Sequence, residues 1–280
     1  MNSIAFVTTC KGRLHQLQQT LHHIVSQEPD EIIVVDYGCP RGTGDWVEST
    51  FPGVTVVRVN DDPGFCLPRA RNLGAQRATS AWLCFIDADI VIAPGWVNWM
   101  RGNLQPGSFY RAAAVSGHRD NETWGTAICS KSDFTAVAGY DEVFRGWGGE
   151  DTDLYNCLTL AGVSEASYPA NFVSAIHHDD AERVGYYSIK DKKIQLIINR
   201  FYQQAKRHAM IVSETRGPLP FAERKKMMDQ VVASVIAWSA DPAKISAPSI
   251  TISFRHTDWL PAPFVMEKQF SFTLRLATQQ

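Results

Sequence analysis

The chain has 280 residues, 45% of them hydrophobic and 20% charged, with a formal net charge of -2. That length can bury a substantial core and favours one main domain with an appendage, and the near-neutral balance gives no electrostatic reason to expect a nucleic-acid partner. Met1 to Val7 reads as a first strand rather than a signal peptide, no apolar run approaches a membrane span, and six cysteines without a CxxC pair read as buried free thiols of a reducing compartment, with the cytoplasm as the expected location.

In chain order, Ile4 to Thr9 is a β-rich run, and Leu14, Leu17, Leu21, Ile24 and Val25 then recur at helical spacing. Glu31 to Asp36 is a second buried strand ending in an acid, and Val54 to Val59 a third. Gly42 and Gly44 read as a turn, Leu73 to Thr79 as a helix, and Trp82 to Asp87 as the next strand. Continuous apolar strands separated by helices predict an α/β fold: a mostly parallel, Rossmann-like sheet covered on both faces. Ligands of such sheets bind beyond the carboxyl ends of the strands, the edge that carries Thr9, Lys11, Arg13, Asp36 and Asp87. No GxGxxG follows the first strand and no GxxxxGK[ST] occurs, so nicotinamide-binding and P-loop readings lose their best signatures.

Two acidic clusters carry the chemistry. Asp87 and Asp89 stand two residues apart at the exposed end of a strand, where both can lean over one edge and hold a divalent ion. Glu150 and Asp151 follow Gly148-Gly149, a flexible stretch able to close over a substrate. Together they point to a phosphate leaving group and a general base. Each cluster also has a plainer reading. Aspartates are common in strand-end turns, and acids favour the first turn of a helix such as the one expected from Thr152 to Leu160.

The ordered set of motifs resembles GT-A fold nucleotide-sugar glycosyltransferases, glycosyltransferase family 2 in the broad sense, over roughly residues 3 to 180. The resemblance rests on Thr8-Thr9-Cys10-Lys11-Gly12-Arg13, Val34-Val35-Asp36, Ala70-Arg71-Asn72-Leu73-Gly74-Ala75 and Phe85-Ile86-Asp87-Ala88-Asp89. It extends to Gly139-Tyr140-Asp141-Glu142 and Gly146-Trp147-Gly148-Gly149-Glu150-Asp151, which are similar to the acceptor-side motif of β-1,4-galactosyltransferases and their bacterial relatives. It implies that Thr9, Lys11, Arg13, Asp36, Arg71 and Asp87 bind the donor. Asp87 and Asp89 would be the metal-binding DxD pair, completed by His177 or His178, with Mn²⁺ or Mg²⁺ as the ion. Asp151 matches the general base of inverting members, with Glu150 beside it and Trp147, Gly149 and Glu150 on the acceptor side. A UDP-sugar is the implied donor, and a glycan or lipid-linked saccharide the implied acceptor. Two alternatives stay open at this point: a sugar-phosphate nucleotidyltransferase, and a non-catalytic carbohydrate-binding or scaffold protein.

Beyond residue 180 the character changes, so the expected domains are 1-180 and 181-280. Helical periodicity runs from Lys190 to Met210 and from Phe221 to about Trp238, and two strands, Ser249 to Phe254 and Phe270 to Leu276, suggest a hairpin. From Arg183 to Val231 there are 11 Lys/Arg against 4 Asp/Glu. That segment reads either as a solvated helix face or as a docking surface for an anionic membrane, at its inner face, or for a partner enzyme.

Overall fold

The computed structural model describes residues 2–177, 184–212, 218–241, 247–256, 261, 263–264 and 266–275. These residues form two compact units: Met1–Arg145 with Glu150–Ser188, and Gly146–Gly149 with Ile189–Gln280. The division falls a few residues after the expected boundary, and the four-residue segment Gly146–Gly149, ahead of that boundary, belongs to the second unit.

The first unit contains, in order, β1 (Ile4–Cys10), α1 (Leu14–Val25), β2 (Glu31–Asp36), α2 (Thr43–Thr50), β3 (Thr55–Arg58), α3 (Leu67–Arg77), β4 (Trp82–Phe85) and β5 (Ile90–Ile92). It continues with α4 (Trp96–Asn103), β6 (Ser108–Ala112), β7 (Ala127–Ser130), α5 (Lys131–Ala136), α6 (Glu150–Leu160), β8 (Ser164–Tyr168) and β9 (Val173–Ala175). The central sheet has the order β3-β2-β1-β4-β7-β6-β8, and β7 alone in it runs antiparallel to its neighbours. Every residue of β1 is buried, as is all of β2 after Glu31, which is why those runs are continuously apolar rather than alternating. Ile4 and Phe6 join one core layer with Leu17, Leu21 and Ile24 of α1 and with Trp96 and Met100 of α4. The opposite face takes α3 so closely that a Cβ at Gly74 would stand 2.4 Å from Val7 Cγ1.

Two local expectations change. The α3 helix begins at Leu67, six residues earlier than its apolar spacing suggested, because Pro68 suits a first helical turn whose N–H groups have no intrahelical partner. Gly42 does make a turn, in the left-handed region at φ 65°, but Gly44 already belongs to α2.

In the second unit, α7 (Lys192–Val212) and α8 (Phe221–Ala240) are followed by an antiparallel hairpin of β10 (Ser249–His256) and β11 (Met266–Thr273). Among the described residues, no helix is long and apolar enough to cross a membrane. The basic segment is not one uniform surface. Lys206 is buried and Lys192 lies 4.4 Å from the centroid of the Trp147 ring, whereas Lys193, Arg200 and Arg207 face solvent.

Candidate active site

The carboxyl ends of β1, β2 and β4 bring the predicted residues of the first unit to one edge. After β4 the chain turns through Asp87-Ala88-Asp89, closed by Ile90 N–H on the Asp87 carbonyl (3.2 Å) and held by Thr20 Oγ1 donating to Ala88 O (2.8 Å). The two carboxylates engage different arginines. Arg13 Nη1 meets Asp89 Oδ2 at 3.0 Å, and Arg71 Nη2 meets Asp87 Oδ1 at 2.7 Å.

Arg71 is the hub. Its side chain is 1% exposed, its other terminal nitrogen lies 2.5 Å from Asp151 Oδ1, and its guanidinium stands 4.9 Å from the centroid of the Tyr140 ring. The Tyr140 hydroxyl donates to the same Asp151 oxygen at 3.4 Å. Asn72, the next residue on α3, clasps Tyr140 from the backbone. Its Oδ1 accepts from Tyr140 N–H (2.9 Å), while its Nδ2 donates to Tyr140 O (2.9 Å) and Glu142 Oε1 (2.8 Å). This explains why Arg71-Asn72 and Gly139-Tyr140-Asp141-Glu142 occur in one sequence: one helix residue holds the tyrosine while its neighbour pairs with the acids.

Burial pushes both carboxyls of the second acidic cluster up. For Asp151 the rise is opposed by the charge and hydrogen bond of Arg71. Glu150, more weakly compensated and next to Asp151, is pushed up to about 8, and its Oε2 is buried without a hydrogen-bond partner among the described residues. Burial thus favours the neutral form of Glu150, whereas the Arg71 guanidinium favours the charged form of Asp151.

The remaining expected residues take varied places. Thr9 is buried in β1, in register with Val35. Asp36 accepts from Cys39 N–H and Gly44 N–H, both at 2.7 Å, so it shapes the loop between β2 and α2. Lys11 Nζ donates to Gly64 O (2.6 Å) and Pro63 O (3.2 Å), and sits between the rings of Tyr37 and Tyr186. His177 is exposed, and the preceding Ile176 N–H donates to Asp89 O at 2.8 Å, continuing the β5–β9 ribbon; His178 lies outside the described residues. Among the described residues, no three His, Cys, Asp or Glu side chains are gathered as a metal cluster. Trp147 and Gly149 pack with the second unit.

Two contributors were not singled out from the sequence. A Cβ at Gly125 would lie 3.0 Å from Arg71 Nη2, 3.0 Å from Asp87 Oδ2 and 3.1 Å from Asp151 Oδ2, so a side chain there would press on the acid–arginine cluster and make its members shift. The preceding Trp124 is fixed by its Nε1 on Thr152 Oγ1 (3.2 Å), by Tyr155 Oη on its carbonyl (2.9 Å), and by the Arg111 guanidinium 3.9 Å from its ring. The Trp124-Gly125 dipeptide was the available signal. The second contributor is Cys39, whose Sγ accepts from Gly12 N–H at 3.1 Å. Its hydrogen bond with Cys10 is the main reason its thiol is lowered to about 5, and all six cysteines are free and buried, as composition suggested.

The model of the family described as "Glycosyl transferase family 2" matches residues 5–153, more than half of the chain and all of the elements just described up to the first turn of α6. The chain belongs to glycosyl transferase family 2. This glycosyltransferase domain is 30% identical to human chondroitin sulfate N-acetylgalactosaminyltransferase 2, over 39% of this chain and 25% of that protein. It is equally 30% identical to mouse beta-1,4-galactosyltransferase 2, over 40% of this chain and 32% of that one. The chain thus spans about a quarter to a third of the curated relatives it matches. Among solved structures it resembles the mannosyltransferase PcManGT from Pyrobaculum calidifontis in complex with GDP-Man and Mn²⁺, with a TM-score of 0.54 and 16% identity, covering 87% of this chain and 80% of that one. It also resembles S. aureus TarS 1-349 in complex with UDP-GlcNAc, with a TM-score of 0.58 and 13% identity, covering 85% and 73%. The family 2 domain accordingly has the GT-A fold. The nucleotidyltransferase reading is set aside on the family match.

Proposed function

We propose that this family 2 chain moves a sugar from a nucleotide-sugar donor, a UDP-sugar, to a hydroxyl of a glycan or lipid-linked saccharide with inversion at the anomeric carbon. One observation carries the reading: a single buried guanidinium joins Asp87, at the end of β4, to Asp151, at the start of α6. The acid expected to face the leaving group and the acid expected to face the nucleophile are thereby held at the two nitrogens of one side chain.

Asp87 and Asp89 fit a divalent cation of the Mn²⁺ or Mg²⁺ kind, with His177, or His178 outside the described residues, as the expected further ligand. The carboxylates are hard oxygen donors on the two sides of Ala88, and the β5–β9 ribbon carries the chain just ahead of His177 onto the carbonyl of Asp89. When bound, such an ion supplies Lewis-acid stabilisation of the departing diphosphate. The chain's own residues do the rest. Arg13 and Arg71 surround the acidic turn with positive charge that offsets the negative charge developing on the phosphates. Asp151 accepts the proton of the attacking hydroxyl, a contribution of ~10²–10⁴-fold. Glu150, neutral and buried beside it, keeps that corner free of a second negative charge and can donate a hydrogen bond to an acceptor oxygen. With one base opposite the leaving group, the product is inverted.

Screening nucleotide sugars for Mn²⁺-dependent hydrolysis and transfer, with Asp89→Ala as the control, tests the proposal. Donor breakdown that requires the metal and disappears in the folded Asp89→Ala variant is the expected result. Metal-independent breakdown, or a fully active variant, would remove the metal assignment, and no turnover of any donor would favour a carbohydrate-binding role.

A further inference from the structure

Gly146–Gly149, the segment that leads into Glu150, packs within the second unit, and a row of buried amides on α7 holds it there. Gln195, Asn199 and Gln203 are 2%, 2% and 4% exposed. They recur every four residues, so they line one side of the helix at intervals of about 6 Å. Gln195 Oε1 accepts from Trp147 N–H. Asn199 Nδ2 donates to Trp147 O (3.1 Å) and Gly148 O (2.7 Å), and Gln203 Nε2 donates to Gly149 O (3.3 Å). All four bonds go to main-chain atoms. The backbone they hold is of a kind that glycine adopts without strain: φ is +84° at Gly148 and +100° at Gly149, and a Cβ at Gly146 would come within 2.9 Å of Gln195 Oε1. A packed helix face is ordinarily apolar, because a buried amide gains nothing over leucine unless its hydrogen bonds are met. Three in a row, each bonded to consecutive residues of one segment, call for a reason.

We infer that Gln195, Asn199 and Gln203 are positioning residues that fix the main-chain conformation of Trp147–Gly149 and, through the Gly149 carbonyl, the peptide group that Glu150 shares. The inference rests on Asp151 being the base, because its reach to the acceptor hydroxyl then depends on the backbone entering α6. The ladder reads only main-chain groups, so it specifies the glycines at 148 and 149, while Lys192 lies over the Trp147 ring.

Hydrogen exchange of the Trp147–Gly149 amides, measured on the full chain, tests the ladder without reference to turnover. Asn199→Leu keeps shape and volume but loses both donors, and exchange in the segment should quicken by roughly 10-fold or more. Gln203→Leu, which removes a single long bond, is the milder variant should Asn199→Leu fail to fold. Gln195→Glu retains the acceptor for Trp147 N–H, so protection at that amide should stay as in the wild type. In the two leucine variants kcat for transfer should fall about 10-fold while the donor KM changes little, the split expected when a group held by the backbone is misplaced. Unchanged exchange in both overturns the ladder, and faster exchange with wild-type kcat overturns its role in transfer. If Asp151→Asn proves fully active, the base assignment falls, whereas the exchange result still decides whether the ladder exists.

Discussion

Arg71 Nη1 donates to Asp151 Oδ1 at 2.5 Å across 80 residues of sequence, while its other terminal nitrogen holds Asp87. Removing that guanidinium leaves two buried or half-buried carboxylates facing each other uncompensated. Arg71→Ala should cost about 3–5 kcal/mol of stability, the range for breaking a buried pair. Arg71→Lys restores a charge but not two parallel donors. It should recover much of the stability while leaving turnover at least ~10-fold down, a split that chemical denaturation and steady-state kinetics would show. Full activity in Arg71→Lys would mean that charge alone is needed.

Asp151→Asn separates proton transfer from binding. The amide keeps size and polarity but accepts no proton, so turnover should drop by at least ~10²-fold with donor affinity, measured by calorimetry, nearly unchanged. Loss of donor affinity in parallel would make Asp151 a binding residue and turn attention to Glu150.

Gly125→Ala places a methyl group against Arg71, Asp87 and Asp151 at once. Gly125 is not among the glycines with positive φ, so the substitution carries no left-handed backbone strain. Its effect should therefore appear in kcat rather than in folding, with a melting temperature within a few degrees of the wild type and turnover reduced by about 10²-fold. A collapsed fold would assign the position to packing.

Glu150 makes stability depend on pH in a definite direction. Its folded value, about 8, lies above the ordinary 4.5, so the contribution of the neutral buried group is fully present below about 4.5 and is lost as pH rises toward 8. Glu150→Gln has no such proton to lose. Its stability relative to wild type should climb across that window, by about 1.4 kcal/mol for each pH unit crossed. Parallel denaturation midpoints from about pH 5 to pH 9 would show that the carboxyl is not held neutral.

The parts of the molecule legible in sequence were those set by local patterning. Strands β1, β2 and β4 announce themselves because burial on both faces demands an unbroken apolar run, and Asp36, Asp87 and Asp89 follow at their ends. Strands β5 to β9 are three to five residues long, and β8 is largely exposed, so no periodicity develops in them. The site was legible as residue types but not as pairings. Arg71 was expected beside the donor, and its second partner lies on a helix that local pattern cannot bring near. Gly125 escaped for the same reason, since what it avoids is a cluster assembled from α3, α6 and the end of β4.

The β5–β9 ribbon has a consequence for the order in which this unit is built. Ile90 pairs with Ala175, and Asp89 receives a hydrogen bond from Ile176, so the acidic turn closes against chain made long after it. As the polypeptide emerges from the ribosome, β1, β2, β3 and β4 can already associate, because their pairings involve only the first third of the sequence. The ribbon has to wait until α4, β6, β7, α5, α6 and β8 have been synthesised, a long-range closure of the kind that forms slowly. A nascent chain released before Val173 would carry the sheet and both aspartates yet lack the strand that secures the turn between them.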